Sequence, residues 1–166
     1  MVAPNRNPMA AVDYSQLEFP ILWIGQKMVC AFVDLEHLRT CNRVVLTDRS
    51  ARGVIVDKTL VCRDVKSTRV AGYIPPFWGF RLPGTRMLWL DYDLASDCRR
   101  ISLDELKIMI IGANRASGMY RDMAASPRSY EASIQRGLQS FDEIIAQFRI
   151  GPKRGWLRWF WAGALD

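Results

Sequence analysis

Asp91 and Asp93 stand two residues apart in Trp89-Leu90-Asp91-Tyr92-Asp93-Leu94. The alternation puts Leu88, Leu90, Tyr92 and Leu94 on one face of a strand and Trp89, Asp91 and Asp93 on the other. Two carboxylates so spaced can hold a hard cation or divide into acid and base. The solvent face of an ordinary strand has the same pattern, and no third ligand or helper residue stands nearby. His37 is the single histidine, set among acids in Asp34-Leu35-Glu36-His37-Leu38. As a catalytic base it needs a serine or cysteine brought to it by the fold. The chain has no Gly-x-Ser-x-Gly elbow, His-Glu-x-x-His pair, Walker loop or Gly-x-Gly-x-x-Gly turn. A small enzyme using Asp91, Asp93 or His37 is therefore the weakest of three functional readings.

Cys30, Cys41, Cys62 and Cys98 are separated by 11, 21 and 36 residues. That spacing has no Cys-x-x-Cys pair, so neither a zinc site nor any other metal or cofactor is indicated. Three of the four lie in or beside apolar strand-like runs, where a reduced thiol serves as a small core residue. Free thiols, together with an N-terminus lacking a basic start and an apolar stretch, lead us to expect a cytoplasmic protein.

Two aromatic segments can make contacts. Tyr73-Ile74-Pro75-Pro76-Phe77-Trp78-Gly79-Phe80 is a connection stiffened by proline, and Phe77, Trp78 and Phe80 offer either a stacking surface or an apolar cap on the sheet. The C-terminal Trp156-Leu157-Arg158-Trp159-Phe160-Trp161 sets three tryptophans and a phenylalanine among cations. Trp156, Arg158, Trp159, Phe160 and Trp161 suit a fold-back onto the core, a docking site for a protein partner, or a membrane surface.

Val44–Thr47 leads into Asp48-Arg49-Ser50-Ala51-Arg52-Gly53, and Val54–Val56 leaves it. This Asp-x-Ser-x-x-Gly turn resembles that of the PilZ domain, a small β-barrel family that binds cyclic dinucleotides. The family pairs the turn with an upstream Arg-x-x-x-Arg; here Arg39 and Arg43 supply those letters, with only four residues between Arg43 and Asp48. The resemblance implies a cyclic di-GMP sensor in which Arg39 and Arg43 fork onto phosphate or guanine edges while Asp48, Ser50 and Gly53 shape the turn. From the residues alone, Gly53 also fits a plain hairpin glycine at positive φ.

The elements that position these residues form an α+β chain. Residues 1–17 form an arm, and 18–98 a β-rich region of short runs at 21–24, 28–33, 43–47, 53–56, 59–62, 68–73 and 87–94. Asp34–Cys41 makes at most one helical turn. Such spacing predicts a small antiparallel barrel or a strongly bent sheet, and no crossover helix lies between the runs. Residues 99–150 follow as a two-helix hairpin packed on the sheet, and 151–166 as the aromatic basic tail. The first helix opens at the Ser102/Glu105 capping box and runs to about Met123. The second opens at Ser126-Pro127 and carries Tyr130, Ile134, Leu138, Phe141, Ile145 and Phe148 as a seam that can close on the first helix or on a second copy.

The 166 residues carry a formal charge of +6 from 18 Arg and 5 Lys against 17 acids. Residues 1–98 hold 12 basic and 10 acidic groups, and residues 99–166 hold 11 and 7. So diffuse an excess gives no strong nucleic-acid footprint. Nearly half the residues are hydrophobic, enough for a core and too many for disorder, and no run reaches a membrane-spanning length. The sequence reads best as a non-catalytic interaction module with a protein partner, and next as a cyclic dinucleotide sensor.

Overall fold

The computed structural model describes residues 14–25, 28–42, 53–73, 87–116 and 126–148. Six antiparallel strands and four helices occupy them: β1 (Ile21–Ile24), β2 (Val29–Phe32), α1 (Leu35–Arg39), β3 (Thr40–Asn42), β4 (Gly53–Asp57), β5 (Val61–Tyr73), β6 (Met87–Arg100), α2 (Leu103–Ala116), α3 (Pro127–Gly137) and α4 (Phe141–Phe148). The sheet order is β2-β1-β4-β5-β6-β3. The α+β class is therefore as expected, and the sheet is a curled half-barrel.

β1 explains how the core divides. All four of its residues are buried, which requires cover on both faces of the sheet. Leu22 and Ile24 join Ala31, Val56 and Cys62 under Ile110, Ile134, Ile144 and Phe148 of the helical layer. Ile21 and Trp23 join Cys30, Phe32, Ile55, Val65, Leu88, Leu90 and Tyr92 on the opposite face, with Leu38 of α1. Across a flat sheet, three strand spacings of about 4.8 Å would by themselves part Trp23 from Tyr92 by at least about 14 Å. Their ring centroids lie 5.3 Å apart, so the sheet curls with this second face inside.

Trp23 dictates a glycine. A Cβ on Gly53 would stand 2.7 Å from Trp23 Cζ2 and 2.9 Å from Cε2, so the indole ring occupies the space a side chain would need. Gly53 is not at positive φ, so close packing and not turn geometry is the reason for this residue. The turn that does need a positive φ is the β4–β5 connection, where Leu60 has φ 62°. Asp57 holds it: its Oδ1 accepts from Thr59 N–H (2.9 Å), Thr59 Oγ1 (2.6 Å) and Val61 N–H (3.1 Å).

Several boundaries differ from expectation. The runs at 59–62 and 68–73 belong to one strand, because β5 pairs with β6 from Val61↔Arg100 to Tyr73↔Leu88 and absorbs the polar stretch between them through register shifts. β6 continues past Leu94 to Arg100 through the same pairing, although Ser96–Arg100 shows no apolar alternation. Residues after α1 form β3 against β6, and the run at 43–47 lies outside the described residues.

The helix beginning at Pro127 does not reach Phe148 in one piece. It ends at Gly137, where Lys107 Nζ donates to the Gln135 carbonyl at 3.1 Å. A second capping box then opens α4: Ser140 Oγ accepts from Glu143 N–H, and Glu143 accepts from Gln139 N–H. All six seam residues still pack in one cluster with α2 and the sheet, because the bend turns each half of the seam inward. α2 opens at Ser102 as expected, with Glu105 N–H donating to Ser102 Oγ at 3.1 Å. It is described to Ala116, and the remainder of the expected helix lies outside the described residues. No described helix is long and apolar enough to cross a membrane.

Candidate functional site

The outer side of β6 gathers charge and aromatic surface where β3 ends. β3 covers β6 only from Met87 to Trp89, and beyond it two side chains take over the exposed strand edge. Arg39, the last residue of α1, donates through Nε to the Leu90 carbonyl at 3.2 Å. Tyr14 OH accepts from the Tyr92 N–H at 2.9 Å. α1 is aimed by its own cap: Asp34 Oδ1 accepts from His37 N–H at 2.8 Å, and Leu38 is buried in the concave core. The buried Tyr92 OH donates to the Leu38 carbonyl and locks the helix to β6.

Asp91 is the centre of this site. Arg39 Nη2 donates to its Oδ1 at 2.7 Å and Arg69 Nη2 to its Oδ2 at 2.9 Å. Strand register brings Arg69 there, since Arg69 and Asp91 are direct cross-strand partners. The Arg39 guanidinium also stacks on two rings, its carbon 5.7 Å from the Tyr14 centroid and 5.6 Å from that of Trp89. These distances are within the range of a cation–π contact. The Asp91 side chain keeps 15% of its exposure and that of Arg69 keeps 45%, so the acid is covered while the second guanidinium remains at the surface. Burial raises the Tyr14 hydroxyl pKa above its ordinary value, against the opposing pull of the Tyr92 hydrogen bond.

The fold thus joins two residues that the sequence nominates for different chemistries, Asp91 for acid–base work and Arg39 for a ligand. Each carboxylate oxygen of Asp91 faces a guanidinium, which makes the acid a clamp on the two arginines. Asp93 is exposed on the same face of β6 and pairs in register with Ser67. His37 lies on α1, its Nδ1 2.7 Å from Asp34 Oδ2, in a half-exposed surface pair. Partial burial pushes the Asp34 carboxyl up, but the hydrogen bonds from the His37 backbone and ring outweigh it and hold the pKa below the ordinary value. Among the described residues no three His, Cys, Asp or Glu side chains gather as a metal site.

None of the four cysteines forms a disulfide; Cys30, Cys41 and Cys62 are buried and Cys98 is exposed near the end of β6. Burial raises the Cys62 thiol pKa. Of the residues that the PilZ resemblance singles out, Arg39 is on Asp91 and Gly53 lies against Trp23; Arg43, Asp48 and Ser50 lie outside the described residues. Phe77, Trp78, Phe80, Trp156, Arg158, Trp159, Phe160 and Trp161 lie outside them as well. Sequence reasoning placed Trp89 beside Asp91 but missed Tyr14 and Arg69. Arg69 was legible only through the β5–β6 register, and Tyr14 carries no local signal. No protein-family model matches the chain, and neither does any curated protein or solved structure.

Proposed function

We propose that the chain is a non-catalytic binding module that docks a protein partner through the Tyr14–Arg39–Trp89–Arg69 surface. The observation that carries this is the immobilised arginine: Arg39 lies over the rings of Tyr14 and Trp89 and is fixed by Asp91 before any partner arrives. Arginine and tryptophan are favoured anchors in interfaces, and a guanidinium already held in place loses little freedom on binding. A guanidinium pairs with carboxylates, so an acidic protein surface is the complement in this reading. The Phe77–Phe80 loop and the Trp156–Trp161 tail are further contacts in this reading, and the tail is also the segment that would approach a membrane surface.

The test is affinity capture with the full chain, followed by binding of the identified, purified partner to Trp89→Ala and Arg69→Glu. Loss of a central anchor weakens binding by at least about tenfold. Equal affinity for wild type and both variants, each with unchanged thermal unfolding, removes the reading.

The cyclic dinucleotide sensor is the second reading, favoured by one observation: a curled antiparallel sheet is compatible with the small β-barrel that the PilZ resemblance implies. Calorimetry with cyclic di-GMP decides it, and a flat titration ends it.

A further inference from the structure

Arg63 is out of place in its surroundings. Trp23, Ile55, Arg63 and Cys98 form one row across β1, β4, β5 and β6, so Arg63 shares the concave face with the buried Trp23 and Ile55. The residue is partly buried, and its Nε is enclosed with no hydrogen-bond acceptor. None of the ion pairs among the described residues includes it. A guanidinium carries five N–H donors and cannot accept, so what this position lacks is an acceptor oxygen. Leaving an enclosed charged donor unmet is costly, and native proteins rarely do so without water or an ion.

A second arginine stands beside it. Val61 pairs with Arg100 and Arg63 with Cys98, which makes Arg63 and Arg100 diagonal neighbours on one face. Diagonal positions of a strand pair lie about 7–8 Å apart, within reach of long side chains. Arg100 is exposed, its one described contact being Nε to the Thr59 carbonyl at 3.4 Å. Asp57, the acid diagonal to Arg63 on β4, uses Oδ1 on the β4–β5 turn and forms no ion pair with either arginine among the described residues. Two like charges thus face the same side across the small exposed thiol of Cys98, without a carboxylate between them.

We propose that Arg63 and Arg100 form an anion site at the rim of the concave face that takes a phosphoryl group, free or as a phosphate monoester. A tetrahedral dianion offers acceptor oxygens to both forks at once and cancels their repulsion. The site is separate from the Arg39–Asp91 cluster and does not depend on it.

The experiment reads the arginine Nε–Hε resonances of the full chain by NMR during titration with inorganic phosphate, and with sodium chloride at matched ionic strength. A nucleoside monophosphate follows as the ester. Phosphate shifts Arg63 and Arg100 saturably and chloride does not. Arg63→Gln, read at Arg100, and Arg100→Gln, read at Arg63, each weaken phosphate binding by about tenfold or more. Arg63→Lys keeps the charge without the fork and weakens it less, and Arg39→Gln leaves it unchanged. Shifts that never saturate, that chloride reproduces, or that saturate at Arg100 in Arg63→Gln with undiminished affinity overturn the proposal. Saturation by inorganic phosphate but not by the monophosphate assigns the site to the free ion.

Discussion

Gly53→Ala separates two accounts of one residue. In the packing account, the new methyl would lie 2.7 Å from Trp23 Cζ2, where carbon atoms ordinarily approach to about 3.5–4.0 Å. Either the indole or β4 must move by close to 1 Å, and Trp23 is fully buried against Tyr92. Overpacking of this kind costs about 1–3 kcal/mol. Restricting the unfolded chain returns about 0.4–1 kcal/mol, because the backbone here lies outside the left-handed region. The net expectation is a destabilisation of about 1–2 kcal/mol, read as a lower urea midpoint at unchanged slope. The control is the same substitution in a Trp23→Phe background. The smaller ring makes room for the methyl, so most of the penalty disappears and the two substitutions couple by about 1 kcal/mol. A neutral or stabilising Gly53→Ala, or an identical penalty in both backgrounds, refutes the packing account. It would leave Gly53 to the turn and ligand role that the PilZ resemblance implies.

Other expectations follow from single contacts. Asp57→Ala strips three donors of their shared acceptor in the β4–β5 turn and lowers unfolding free energy by about 2–3 kcal/mol in urea. Asp34→Asn keeps a cap on α1 but removes the carboxylate. Because the Asp34 pKa is depressed in the folded chain, the wild-type advantage is complete above the ordinary value of 3.8 and fades as pH falls through the folded value, measurable by urea unfolding across that range. Lys107→Met leaves the Gln135 carbonyl without its donor, so amide exchange speeds up in the last turn of α3 while β1 and β4 stay protected.

The sheet was largely legible because its strands carry their own signals. Ile21–Ile24 is a short continuous apolar run and Trp89–Leu94 alternates strictly, and both patterns survive in the fold. What sequence could not supply was partnership. The polar stretch from Arg63 to Ser67 is strand only because β6 lies beside it, and Ser96–Arg100 only because β5 does. The apolar spacing from Tyr130 to Phe148 fits one helix and so masks the Ser140/Glu143 capping box inside it, although that box has the same form as the one at Ser102. At the site, Asp91 and Arg39 were each visible, but their meeting depends on contacts spanning 52 residues. Arg69 depends on the β5–β6 register, and Tyr14 on a hydrogen bond spanning 78 residues.

In the proposed function, Asp91 acts by holding Arg39 and Arg69 in place. The direct measurement is the affinity of the captured, purified partner for Asp91→Asn. Removing this acid adds a positive charge to a surface that is proposed to meet an acidic one, so charge alone predicts tighter binding. Loss of the clamp frees two side chains, at an ordering cost of about 0.5–1.5 kcal/mol each. Binding is therefore expected to be several-fold weaker with the fold intact. Binding that is unchanged or tighter would contradict that role of Asp91.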